Sequence, residues 1–564
     1  MPPILWKASK INASPPTFLL IMANITEKIS KLFPQAVIEG DTTPVVTIPT
    51  AQWHDLALAL RDDSEIKMDY LVTIVGMDWT DRLGAIYYLM STESDKIIGV
   101  KVIADGDREL PTIPSVADVW PVAVTYEREV YDFFGIIFLN NPDCRRLFLN
   151  IDWVGYPLRK DYDENPELNP VSTESERQSD FTNVYTRGED GKVVKNEVRI
   201  FEKEDFVVNI GPQHPATHGV LRFRTAVDGE EIKKIDVYCG YIHRGIEKLC
   251  ENLSYPQTLH FMDRMDYFSA HNYHHALCMI YEKAAGIEIS ERAQVIRVLM
   301  DELSRIASHC LFMGTYCMDL GATTMLFYTL RVREQILDIM EKTCGARMTF
   351  NYECIGGVMQ DLDKDFVKDV HALLDVIPAN LKEYNDVFTG NVIARNRMEG
   401  VGHLSREDAI AYGITGPSGR ASGWACDMRK LQPYSIYGKL DFEQVVATEG
   451  DSMARFKCRL EEIRQSAHII EQLIDNIPEG EYCVKVPKVL KIPAGSWFQV
   501  TEGCRGAFGI YLESDGSTKP YRLKLATPCL PQACVVDHIT RGQKIADLIT
   551  IGGSLDYIVP DIDR

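Results

Sequence analysis

Two histidines, His214 and His218, sit in the run Asn-Ile-Gly-Pro-Gln-His-Pro-Ala-Thr-His-Gly at residues 209–219. Gly211, Pro212, Pro215 and Gly219 interrupt any periodic element there, while Phe206–Val208 and Val220–Leu221 predict strands on either side. A turn between two strands holds an imidazole at a fixed place, which suits a proton donor or a ligand contact. It equally suits turn histidines bonded to nearby backbone. A zinc site of HxxxH type is disfavoured, because prolines spoil the helix it needs and no CxxC or HExxH accompanies it. Arg264 and Tyr267 are three residues apart in a stretch, 258–284, that reads as one long helix, so they share a face. Read alone, the tyrosine is as readily a core residue and Arg264 an ion-pair partner of Asp263 or Asp266. Asp319 closes a predicted helix and reads alone as a surface carboxylate, a mild misfit with the dipole at that end. His271, His274 and His275 share one helix and raise a divalent-ion reading that no obvious carboxylate completes.

The elements that must position these groups divide into two kinds. Residues 35–103 alternate apolar strands (45–48, 71–75, 85–89 and 97–102) with a helix near 51–62, the pattern of an α+β domain on a mostly antiparallel sheet. Glu127, Arg128 and Glu129 start a further helix ending near Gly135. Arg145, Arg146, Arg159, Lys160 and Asp161 read as a solvated charged surface. Residues 163–198 are polar and acidic and read as a linker. Beyond it, long helices predominate: 258–284, one capped by Ser290, then 323–343, 363–386, 405–411 and 450–475, together a bundle. From 481 onward the pattern returns to strands, with Ser514–Ser517 as a hairpin turn.

The formal net charge of −21 excludes nucleic acid as the partner, since phosphate binding needs a basic face. The 14 cysteines contain no CxxC and read as buried residues or free thiols in a reducing compartment. No apolar run reaches the roughly 18 residues of a membrane-spanning helix. Met22 looks like a natural start, so 1–23 is expected to be a disordered extension.

Gly-Pro-Gln-His-Pro-Ala-Thr-His-Gly-Val-Leu-Arg (211–222) resembles the signature of the D-type, hydrogenase-like subunit of respiratory complex I. The similarity continues through HRGIEKL (243–249), DRMDYFS (263–269), ERAQVIRVL (291–299), GARM (345–348), DMRK (427–430), SDGSTKPYR (514–522) and the final DIDR, and covers nearly all of 200–564. Residues 30–162 resemble the C-type subunit through ERE-x-x-D-x-FGI-x-F, NPD-x-RR and W-x-G-x-PLRKDY. Asn141 stands where that pattern usually has histidine. The chain thus resembles a fused C-type/D-type subunit.

The resemblance implies a C-type domain at 24–162, a linker at 163–198, and at 199–564 a mainly helical, hydrogenase-large-subunit-like domain with flanking strands. It implies a proton-translocating NADH:quinone oxidoreductase, with quinone as substrate and no cofactor bound by this chain alone. His218 and Tyr267 would bond the quinone headgroup, and Asp319 would pair with His218. His214 would belong to the binding loop. Arg244 and Arg264 would lie near a 4Fe–4S cluster held by a partner subunit. Other peripheral-arm subunits, above all the one with the terminal cluster, and membrane-arm subunits would be partners. The chain would sit peripherally on the cytoplasmic side of a bacterial cell membrane. Thr349 follows GARM where relatives often carry histidine, which removes an imidazole from the cluster's surroundings. A nickel–iron hydrogenase is a poorer match, because Cys250, Cys529 and Cys534 do not make two cysteine pairs. A non-catalytic assembly scaffold of a related ferredoxin- or hydrogen-linked complex is the remaining alternative.

Overall fold

The computed structural model describes residues 25–40, 43–163 and 179–564. The extension expected at 1–23 lies outside them. The chain divides into two compact units, one up to Asp205 together with Ile410–Gly413, the other comprising Phe206–Ala409 and Ile414–Arg564.

In the first unit, α1 (residues 25–32) precedes β1 (Val37–Glu39) and β2 (Val45–Ile48). Then come α2 (Trp53–Asp62), β3 (Tyr70–Asp78), β4 (Leu83–Met90) and β5 (Ile97–Ile103). The sheet order is β1-β2-β5-β4-β3, antiparallel except for the parallel β2–β5 pair. Ile74 pairs with Tyr87 and Gly76 with Ala85. Since side chains alternate along a strand, all four share one face. Trp53 lies 4.4 Å from Tyr87 on that face. A Cβ at Gly76 would come within 2.5 Å of the Phe134 ring, so glycine admits α3 (Ala123–Phe134) to the same face. Gly135, at φ 69°, ends α3 in the left-handed region.

Between β5 and α3 lies β6 (Thr112–Pro114), which pairs in parallel with β7 (Ile137–Leu139). The charged cluster after β7 is a correction to the solvated surface expected there. Arg145 and Arg159 are buried. Arg146 bonds Asp132, whose Oδ2 also accepts from the amides of Leu147, Phe148 and Leu149. Arg159 donates to Phe134 O and stacks on Tyr156. These arginines tie an irregular segment down, because its backbone has no ladder partners of its own.

Of the stretch read as a linker, residues 164–178 lie outside the described residues, and the part after them holds strands. β8 (Phe181–Arg187) and β9 (Val193–Arg199) form a hairpin, and Asn140 N and Cys144 N donate to β8 carbonyls. Its second strand is largely exposed, which explains the polar composition.

The second unit opens with β10 (Phe206–Ile210), β11 (Arg222–Asp228) and β12 (Glu231–Tyr238), an antiparallel sheet. Short helices α4 (Ile246–Asn252), α5 (Tyr255–Thr258) and α6 (Met262–Met265) lead to α7 (Ala270–Ala285). The bundle continues with α8 (Glu291–Asp319), α9 (Thr324–Cys344), α10 (Phe366–Tyr384), α11 (Val392–Met398), α12 (Arg406–Ala411), α13 (Gly416–Arg420), α14 (Met428–Leu431) and α15 (Ser452–Ile474). A two-strand hairpin, β13 (Glu353–Cys354) and β14 (Gly357–Val358), lies between α9 and α10. Ser290 caps α8 by accepting from Ala293 N. The long helices α8, α9, α10 and α15 share one apolar core.

A second core lies between α7 and the sheet of β15 (Gly495–Glu502), β16 (Ala507–Ser514) and β17 (Arg522–Ala526). After Ala526 the chain is helical again: α16 (Cys529–Thr540), α17 (Asp547–Leu555) and α18 (Val559–Asp563). The return to strands therefore ends earlier than expected. Pro531, Gly552, Gly553 and several β-branched residues lower the helix propensity of these segments, and burial overrides it.

Candidate functional site

The loop bearing the two histidines is fixed by its ends. Ile210 pairs with Phe223, which brings Gly211 and Leu221 together. A Cβ at Gly211 would stand 2.0 Å from Leu221 O, so only glycine, here at φ 90°, lets the strands close. Inside the loop the Thr217 hydroxyl is shared between His214 O (2.7 Å) and Gly219 O (2.8 Å). His218 adopts φ 53°, a conformation uncommon outside glycine.

That conformation delivers the His218 ring to the end of α8, where its Nε2–H donates to Asp319 Oδ2 at 2.7 Å. Both side chains keep some exposure, 19% and 16%. Two glycines make room. A Cβ at Gly219 would meet Val559 at 2.5 Å, and one at Gly553 would meet Tyr316 at 2.8 Å and His218 Cε1 at 3.5 Å. Tyr557 completes the enclosure with its ring 6.4 Å from the imidazole. Burial, and then the Asp319 charge, hold its phenol well above the ordinary tyrosine range.

Tyr267 corrects the single helix expected over 258–284. The helix breaks at 266–269, between α6 and α7, so Tyr267 and Arg264 do not share a helical face. The cause is Asp266, whose buried carboxylate takes a hydrogen bond from Ser269 and an ion pair from Arg505 at 2.8 Å. Meeting those partners competes with helical geometry. Tyr267 is half-buried against Phe268, with ring centroids 4.2 Å apart. Burial raises its pKa against the opposing charge of Arg505.

The structure thus joins His218 to Asp319 directly and Tyr267 to them indirectly. Arg505, in the turn between β15 and β16, bonds Asp266 on one side and Asp556 on the other, and Asp556 precedes Tyr557. The remaining expected residues stand apart. His214 and Arg244 are exposed. Arg264 is exposed, donates to His260 O at 2.7 Å and lies 3.5 Å from Asp263. His271, His274 and His275 each face a different carboxylate, Glu353, Asp263 and Asp301. Arg505, Asp556 and Tyr557 escaped the sequence reading. The one available signal was a charged residue inside the tight, otherwise apolar Gly503-Cys504-Arg505-Gly506 turn.

Two family models match the chain. Residues 319–564 match the 49 Kd subunit of respiratory-chain NADH dehydrogenase, and residues 46–167 match its 30 Kd subunit. The chain belongs to the family of C/D subunits of NADH-quinone oxidoreductase, in which the two are fused. It is 54% identical to the C/D subunit of Phocaeicola vulgatus over 92% of this chain and 99% of that one. Against the C/D subunit of Nitrosospira multiformis the identity is 36%, over 94% and 93%. The separate D-type subunit of Desulfotalea psychrophila is 44% identical over 64% of this chain and 97% of its own.

Proposed function

We propose that this chain is the subunit of complex I, the NADH-quinone oxidoreductase, that carries the residues reducing quinone. Family membership supports the complex I assignment. The observation that carries the residue-level reading is the His218–Asp319 couple. Quinone takes up two electrons and two protons, and its carbonyl oxygens gain charge as it does so. Donors held against those oxygens stabilise that charge and supply the protons. Asp319 orients the His218 ring by accepting Nε2–H, which leaves Nδ1 as the ring nitrogen turned to a ligand. Tyr267, a weak acid, is the second donor.

The electrons come from a 4Fe–4S cluster in a partner subunit, with Arg244 and Arg264 on the exposed surface facing it and His214 in the binding loop. The C-type domain at 24–162 docks on further peripheral-arm subunits, the segment 163–198 connects it, and the D-type domain at 199–564 forms the site. No helix among the described residues is long and apolar enough to cross a membrane. We read the chain as peripheral, on the cytoplasmic side of a bacterial cell membrane and in contact with membrane-arm subunits.

The test is to purify the complex carrying His218→Ala or Tyr267→Phe. Assembly and electron transfer to an artificial acceptor upstream should survive, while quinone reduction falls by about 10²-fold. Parental quinone reduction in both variants would sink the assignment and favour a scaffold.

A further inference from the structure

His271, His274 and His275 occupy spacings i, i+3 and i+4, so one face of α7 carries all three rings. Each is at most 1% exposed. His271 Nδ1 lies 2.6 Å from Glu353 Oε1, His275 Nδ1 lies 2.6 Å from Asp301 Oδ2, and His274 Nε2 lies 3.2 Å from Asp263 Oδ1. Aromatic rings close the space around them. Phe350 stacks on His271 at 4.3 Å, Tyr352 meets the same ring edge-on at 6.1 Å, and Tyr434 meets His275 edge-on at 5.9 Å.

The charges in this core do not balance without protons. Asp263 has Arg264 at 3.5 Å near the surface. For Glu353 and Asp301 the opposing charges are imidazoles. The neighbouring cations have carboxylates of their own, Arg297 with Glu282, Arg305 with Glu302 and Arg429 with Asp427. The other titratable groups facing the cluster, Tyr352, Tyr434, Cys344 and Cys354, carry no positive charge. A buried carboxylate without a counter-charge is costly, so the hydrogen-bonded His271–Glu353 and His275–Asp301 couples each keep a proton between nitrogen and oxygen. The directions agree. Burial opposes protonation of His271, but Glu353 more than offsets it and the pKa is raised. Burial, with Glu353 and Glu302, raises Asp301 against the pull of His275.

A second feature goes beyond static pairing. His271 Nε2, His275 Nε2, His274 Nδ1, Asp301 Oδ1, Glu353 Oε2 and Asp263 Oδ2 are buried with no hydrogen-bond partner among the described residues. Buried polar atoms of this kind are commonly met by internal water.

We propose that the two hydrogen-bonded couples on the buried face of α7, His271–Glu353 and His275–Asp301, with His274 and Asp263 beside them, form a proton store that feeds the site at Tyr267. The store opens through Asp263, four residues before Tyr267 and beside Arg264 at the surface. The role of Tyr267 rests on the quinone reading above. When quinone takes the phenol proton, one couple passes its proton along the waters to the tyrosinate, restoring the phenol. The couple, left one proton short, is refilled from solvent past Asp263. No electron moves through the store.

The experiment uses the assembled complex with this chain labelled in its histidine ring nitrogens, His271 being assigned through His271→Gln. The His271 ring should stay doubly protonated at a pH where free imidazole has lost its proton. The double variant His271→Gln/Glu353→Gln keeps a hydrogen bond but holds no proton. It should assemble, bind a quinone-site inhibitor normally, and lose about tenfold in quinone reduction at pH 8, with a smaller loss at pH 6, where solvent supplies protons more readily. A neutral His271 ring, or a double variant with the parental rate at both pH values, would overturn the proposal. If the double variant fails to assemble, the ring spectrum of the parental complex decides. If His271 is doubly protonated and the double variant is slowed while Tyr267→Phe reduces quinone normally, the store stands and the role of Tyr267 falls.

Discussion

The carboxylate of Asp266 and the guanidinium of Arg505 meet at 2.8 Å across 239 residues of sequence, both fully buried. This pair breaks the helix ahead of α7 and so decides where Tyr267 stands. Replacing Arg505 by Met leaves Asp266 and Asp556 without their shared cation. Removing one partner of a buried ion pair costs about 3–5 kcal/mol. Denaturant unfolding of the Arg505→Met chain should show a loss of that size, partly recovered by adding Asp266→Asn. An unchanged midpoint would mean that the break has another cause.

Asp319→Asn tests whether charge or only a hydrogen bond is needed beside His218. The amide oxygen can still accept from Nε2–H but carries no charge. Quinone reduction should fall about tenfold, equivalent to about 1.4 kcal/mol in the barrier, with KM for quinone unchanged. A rise in KM at constant kcat would instead make Asp319 a binding group.

Glu127 gives the first unit a pH dependence of calculable sign. It is fully buried and accepts from Ser115, Val116 N and Asn141 Nδ2. Burial outweighs these bonds and raises its pKa from 4.5 to about 7. The folded form therefore holds a proton that the unfolded form releases. The resulting stability is fully present below pH 4.5 and is lost as pH rises through 7. The shift corresponds to about 3 kcal/mol at most. Hydrogen exchange of the Val116 amide in the full chain should quicken over that window, and Glu127→Gln should flatten the change. An equal slope in the variant would point to another group.

Thr349 is strained. It is exposed at φ 53°, where a β-branched side chain is poorly accommodated, and its hydroxyl donates only to Met348 O. Thr349→Asn should raise the unfolding midpoint by an amount worth about 1 kcal/mol. Destabilisation instead would show that the local bond matters more than the strain.

Much of the architecture was readable because its signals are local. Ser290 caps α8, Gly135 ends α3, and the alternating runs of β3, β4 and β5 give a sheet. His218 and Asp319 were legible through resemblance, as one motif and one helix end. What stayed hidden depends on distant partners. The break at Asp266 needs Arg505, and the terminal helices need a core that outweighs weak propensity. The threonine at 349 showed only a missing imidazole, whereas a different one, His271, lies stacked under the next residue, Phe350. The buried arginines at 145 and 159 looked like surface because charge in a sequence does not reveal its counter-ion.

The span between Asp266 and Arg505 also sets an order of events during synthesis. At about 5–20 residues per second, a ribosome needs on the order of 10–50 s to pass from one to the other. During that interval the nascent second unit carries an uncompensated acid that resists burial, and the segment bearing Tyr267 has nothing to hold its break. The sheet of the first unit, whose five strands all precede residue 104, closes long before. The sheet of the first unit can therefore close while the second unit is still open to chaperones and proteases. A pause in translation before residue 505 would lengthen that exposure without disturbing the first unit.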